Sequence, residues 1–197
     1  QRAVVGRTLD EQRELDQILI ALDGTPNKAR LGANAILAVS LAFARACAVE
    51  KQVPLYQHFA DLLGQPLRTL PRLTINLFSG GKHAGGQAPI QDVLIVPAAA
   101  ATIDEGMAMM YAVYQAAAAL IKRNYGARAL TADEGGLAPD FVDAESMLRD
   151  AVQAMKDAGY EPGKEVVLAL DVASSHFYET GHYHLGSPLS SAQMIDT

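Results

Sequence analysis

EVVLALD, residues 165–171, is an unbroken apolar run that ends in one acid. With no polar alternation, it reads as a strand buried on both faces. Upstream, Asp143 caps a helix expected from about Ala144 to Ala158, with Gly159 just past its end. Further upstream, LTINLF (73–78), ended by Ser79-Gly80-Gly81, and DVLIVP (92–97) are two more short β-rich runs. Thr102-Ile103-Asp104-Glu105 is a capping box that opens a long helix to about Asn124, and ARALTA (127–132) is a candidate short strand. Downstream, FYETGHYHL (177–185) carries a hairpin-like turn at Thr180-Gly181, and Ser190 is placed to cap a last helix. Strands interspersed with helices predict an α/β layer or a barrel. A closed eight-stranded barrel takes about 250 residues, and only about half of that follows Leu70. The chain also ends inside an apparent helix and starts with Gln1, so it is expected to be part of a longer polypeptide.

The first seventy residues read differently, as helix throughout. Thr8-Leu9-Asp10-Glu11 is a capping-box pattern for a helix to about Leu22, and Asp23-Gly24-Thr25-Pro26 stops it. An Ala-rich helix follows from about Ala29 or Ala33 to Lys51, then a short one from Pro54 to Leu63, closed by Gly64. The pattern changes at Leu70-Pro71.

Half of the 197 residues are apolar, which predicts a buried core. A net charge of −6 without a basic run argues against nucleic acid or an anionic membrane as partner. An anionic small substrate stays compatible, because a bound metal ion reverses the local field of an acidic site. The lone Cys47 reads as a small core residue in a reducing, cytoplasmic setting. No signal peptide or membrane span is expected: the most apolar stretch, Gly32 to Val49, is interrupted by Asn34, Ser40 and Arg45.

Several polar residues stand where chemistry is done in α/β folds. Asp171 ends a strand, the place where such folds bind ligands. It suits a hard cation such as Mg²⁺, and equally a turn acid ahead of Ser174-Ser175. In TADEGGLAP (131–139), Glu134 follows Asp133 and precedes Gly135-Gly136. That composition reads either as a surface turn or as a carboxyl group presented by a backbone that glycine permits. Asp92, beside Gln91, opens the LIVP run, and His83 lies in the glycine-rich loop SGGKHAGG. The set points to a metal-assisted acid–base enzyme acting on an anionic substrate. His182 and His184 alternate on one strand face and, without a third ligand nearby, read as surface residues.

LDGTPNKARLGANAILAVSLAFARA (22–46), EKQVPLYQHFADLLG (50–64), SGGKHAGG (79–86), ADEGGLAP (132–139) and LDVASSHFY (170–178) together resemble enolase, the family that dehydrates 2-phosphoglycerate in glycolysis. The resemblance implies an α/β protein in which residues 1–69 are the helical part of an N-terminal α+β capping domain. Residues 70–197 are then the first half of a (β/α)8 barrel that opens strand-strand-helix-helix. It implies Glu134 as the general acid, Asp92 as a second catalytic carboxylate, and His83 and Gln91 as substrate-binding residues. Asp171 becomes one of three carboxylate ligands of Mg²⁺, and the catalytic lysine base and the other two carboxylates lie outside this chain. The chain departs from the family pattern at Ser79 for Asn, Asp92 for Glu, Ala132 for Gly and His176 for Glu. The implied partners are a small phosphorylated carboxylate and further copies of the chain in a dimer or octamer. The activity expected is Mg²⁺-dependent, reversible conversion of 2-phosphoglycerate to phosphoenolpyruvate. The alternatives are a paralogue acting on another phospho- or phosphono-carboxylate, and a non-catalytic, enolase-like binding protein.

Overall fold

The computed structural model describes residues 4–7, 9, 11–86, 88–126 and 130–197, with the side chain of His83 outside that description. The chain forms two compact units, Gln1–Leu70 and Pro71–Thr197.

The first unit holds α1 (Gln12–Asp23), α2 (Ala33–Glu50) and α3 (Leu55–Leu63), with α1 and α3 each packed on α2. Leu15 and Leu19 of α1, Ala44 and Ala48 of α2 and Ala60 of α3 are its buried apolar residues. The alanines let helix backbones approach, and the leucines supply the apolar area. α1 begins after an extended Glu11 that makes no side-chain cap bond, and Thr8 and Asp10 of the expected capping box lie outside the described residues. At its other end Gly24 is left-handed and its N–H reaches Ile20 O, a glycine stop as read from the sequence. α2 has 18 residues and a mean hydropathy of 1.5, enough by length and composition alone to cross a bilayer. Asn34, Ser40 and Arg45 all lie within it, so these interruptions do not by themselves exclude a span.

The second unit opens with β1 (Ile75–Ser79) and β2 (Asp92–Pro97), then α4 (Ile103–Tyr125), α5 (Ala144–Asp157) and β3 (Val166–Asp171). This is the strand-strand-helix-helix opening. The sheet order is β1-β2-β3 with both pairs antiparallel, and Asp92 stands opposite Ser79 on one side and Asp171 on the other. Both long helices start at capping boxes. Thr102 and Glu105 reciprocate at α4, and Asp143 accepts from Ser146 N at 2.7 Å at α5. Their inner faces, Met110, Val113 and Ala117 on α4 and Met147, Ala151 and Met155 on α5, join Leu77, Phe78, Val93 and Ile95 of the sheet in one core. Phe141 closes it edge-on against Phe78, with ring centroids 5.1 Å apart.

Two expectations need correction. β3 is not buried on both faces: only Val166 is buried, and exposure rises along the strand to Asp171. Its apolar run is continuous, but among the described residues the core packs fully only on Val166 and in part on Leu168. The ARALTA strand is reduced to one bridge, Thr131 to Leu137, with residues 127–129 outside the description. The C-terminal part forms β4 (Tyr178–Glu179), β5 (His182–Leu185), β6 (Ser187–Leu189) and α6 (Ser191–Asp196). The hairpin turn falls at Thr180-Gly181, both at positive φ, and Ser190 caps α6. His182 and His184 are exposed on β5.

Candidate active site

The site grows from the edge of β1. Leu137 N donates to Leu77 O at 2.9 Å and Ser79 N donates to Leu137 O at 3.0 Å, so the segment after Glu134 runs along β1 like an added strand. Gly136 makes that approach feasible, because a Cβ there would overlap Ser79 Oγ and sit 3.1 Å from Ser79 N. Gly135, at φ +85°, turns the chain just before it. Tyr114 of α4 donates to Gly135 O at 2.7 Å, and partial burial pushes its phenol pKa up, so it stays a neutral donor. The acid–glycine turn is thus anchored from two sides, with Glu134 exposed on it.

Three acids expected from the sequence meet in one hydrogen-bonded chain. Asp92 is buried and accepts from three side chains: Ser79 Oγ at 2.7 Å, Asn76 Nδ2 at 3.1 Å and Gln91 Nε2 at 3.3 Å. Asn76 Nδ2 also donates to Glu134 Oε2 at 3.0 Å. Gln91 Nε2 also donates to Asp171 Oδ2 at 3.3 Å. The order is Glu134, Asn76, Asp92, Gln91, Asp171, with Ser79 as a side branch. Among the described residues no lysine or arginine pairs with any of these acids. Neutral donors alone serve their oxygens, a setting open to a cationic or proton-bearing ligand.

Asp171 makes the turn contact of one reading made of it. Its Oδ1 accepts from Ala173 N at 3.1 Å, a turn role, while Oδ2 faces Gln91. As an exposed strand-end carboxylate it fits one oxygen ligand of Mg²⁺, an ion that takes oxygen donors in octahedral array. Among the described residues no group of three His, Cys, Asp or Glu side chains completes a metal set. His83 lies with its side chain outside the description, in the short turn Lys82–Ala84. His176 is exposed just beyond Asp171.

Sequence reasoning passed over Asn76 and Tyr114. Asn76 carried a signal, since asparagine is depleted from strand interiors and this one sits inside LTINLF. Tyr114 carried none, as an aromatic within a helical pattern reads as core.

Two family descriptions match the chain. The one described as "Enolase, C-terminal TIM barrel domain" matches residues 67–194, and the one described as "Enolase, N-terminal domain" matches residues 1–59.

Proposed function

Because the chain belongs to the enolase family, we propose that it takes part in the reversible, Mg²⁺-dependent dehydration of 2-phosphoglycerate to phosphoenolpyruvate. At family level it is an enolase-like lyase. The observation that carries the finer reading is the hydrogen-bonded chain uniting Glu134, Asp92 and Asp171.

In this reaction a base removes the C2 proton and hydroxide leaves C3. Glu134 is the general acid. Asn76 occupies its Oε2, so the transferable proton sits on Oε1, which carries no protein hydrogen bond among the described residues. The departing hydroxyl takes that proton and leaves as water. Gln91 and His83 orient the substrate, and Asp92 fixes Gln91 and Asn76 from behind. Asp171 would hold Mg²⁺, which supplies positive charge beside the substrate carboxylate. Cytoplasmic location and assembly as a homodimer or octamer belong to the same proposal. The match of residues 1–59 to the N-terminal domain supports reading α2 as a domain helix and not a span.

The test uses the full-length protein with Mg²⁺ and 2-phosphoglycerate, following the ultraviolet absorbance of the enol phosphate. A rate abolished by EDTA is the expected result. A folded protein that binds Mg²⁺ and gives no rate overturns the substrate assignment.

One observation favours a second reading, action on another phospho- or phosphono-carboxylate. Two departures from the family pattern, Ser79 and Asp92, touch each other at 2.7 Å in the middle of the site. If they retune the site, Asp92→Glu raises turnover of 2-phosphoglycerate. A loss on that substitution favours the first reading.

A further inference from the structure

We infer that Asn76 is a positioning residue, the crosspiece that holds the exposed Glu134 carboxyl in register with the buried Asp92. The inference rests on Glu134 being the working acid. Asn76 and Ser79 are three apart on β1, a spacing that in a regular strand puts side chains on opposite faces. Here the β1–β2 register shifts between Asn76 and Phe78: Asn76 stands opposite Leu94, Phe78 opposite Val93 and Ser79 opposite Asp92. The extra residue is a bulge, and it brings Asn76 and Ser79 round to the same carboxylate.

The chemistry of the amide completes the case. One Nδ2 carries two N–H groups, so it serves Glu134 Oε2 at 3.0 Å and Asp92 Oδ1 at 3.1 Å without dividing a proton. Asp92 Oδ1 and Glu134 Oε2 both accept, so the nitrogen, and not the oxygen, faces them. Asp92 is itself held by three donors. Glu134 sits on a loop, and its bond to Asn76 ties its side chain to the sheet. Removing the amide frees Glu134 to adopt rotamers that no longer face the substrate.

The experiment compares wild type, Asn76→Leu, Glu134→Asp and the double variant in the full-length protein, with kcat and KM on 2-phosphoglycerate. Leucine keeps the size and removes both donors. Glu134→Asp draws the carboxyl back from Asn76 and keeps an acid. The expected result for Asn76→Leu is a kcat lowered roughly tenfold or more, the scale of one hydrogen bond to a charged group, with KM within about twofold. The double variant is expected to match Glu134→Asp alone, because both act through one contact. Losses that multiply, or an unchanged kcat, overturn the proposal. If wild type does not turn over 2-phosphoglycerate, the substrate reading has failed, and the contact is then read directly. In protein labelled with ¹⁵N at asparagine, Glu134→Ala is expected to move the Asn76 side-chain amide resonances. An Asn76 amide unmoved by Glu134→Ala overturns the inference without reference to any substrate.

Discussion

Asp23 in the first unit and Asp92 in the second are both buried carboxyl groups, 1% and 2% exposed, and they are buried for opposite purposes. Asp23 is served from its own loop, by Thr25 N at 3.0 Å, the Thr25 hydroxyl and Leu31 N at 2.6 Å. Every donor lies within eight residues, so the side chain latches the turn between α1 and α2. Asp92 is served by Ser79 and Asn76 from a different strand and by Gln91 beside it, and two of those donors reach on to exposed acids. A buried acid satisfied by local donors, backbone N–H groups above all, builds structure. One satisfied by side chains that bridge to other acids builds a site.

The largest effect expected from this contrast is on Glu134, at the open end of the second network. Glu134→Gln keeps the shape and removes the transferable proton. It is expected to lower kcat by about 10²–10⁴-fold, the usual share of a general acid, with KM changed only a few-fold. Asp23→Asn, measured below its melting temperature, is expected to leave both constants within about twofold. Steady-state kinetics on the two variants decides it, and comparable kcat losses would break the distinction.

Glycines sharpen the same contrast through packing. At Gly136 an added Cβ meets Ser79 Oγ, with Ser79 N at 3.1 Å and the Phe78 carbonyl carbon at 3.2 Å, and the backbone atoms cannot yield. Gly136→Ala is expected to cost about 1–3 kcal/mol by overpacking and to lower kcat as well, because it pushes the Glu134 loop off β1. At Gly24, beside Asp23, the nearest atom to an added Cβ is Ala21 O at 3.7 Å, and only the φ of +70° is unfavourable. Gly24→Ala is expected to cost about 1–2 kcal/mol of left-handed strain and nothing in kcat. Denaturant melts and kinetics on both variants test the pair.

How much of this was legible in the sequence follows the range of the interactions. α4 was legible because its capping box, and α5 because its Asp143 cap, are local chemistry, and β2 because a β-branched run between Gln91 and Pro97 leaves little choice. β6 was not: Ser187-Pro188-Leu189 is too short for a period and contains a proline. The burial of β3 was misread because what packs on its two faces sets it, and an apolar run does not state what that is. In the site, Glu134, Asp92, Gln91 and Asp171 stood out as polar residues at strand ends. Asn76 was passed over: an asparagine inside a strand was a signal, but a bulge decides which carboxylate it meets, and nothing within LTINLF marks that bulge.

Acid should separate the two regions next. The Thr25 hydroxyl, and then the Leu31 N–H, hold the Asp23 carboxyl below the ordinary range, since both bonds favour its ionised form. A depressed folded pKa gives stability that is present above the unfolded value of about 3.9 and is lost as pH falls through the lower folded value. The stability difference between wild type and Asp23→Asn is therefore expected to be greatest near neutral pH and to shrink below about pH 4. Melting temperatures across that window test it. A difference independent of pH would mean that the latch works by shape and not by charge.

His58 offers the finest test, because it is buried like Asp23 and Asp92 but lacks what both have. It is 2% exposed on α3, and neither ring nitrogen finds a hydrogen-bond partner among the described residues. An unmatched buried polar group costs its desolvation, and an apolar group of similar size removes that cost. His58→Leu is expected to be neutral or to stabilise the folded state by up to about 1 kcal/mol, with no change in kcat. Urea melts resolve a difference of that size. A destabilisation beyond about 2 kcal/mol would instead mean that the imidazole is held by a polar contact that leucine cannot replace. His58 would then join Asp23 and Asp92 as a third buried polar side chain held by specific bonds.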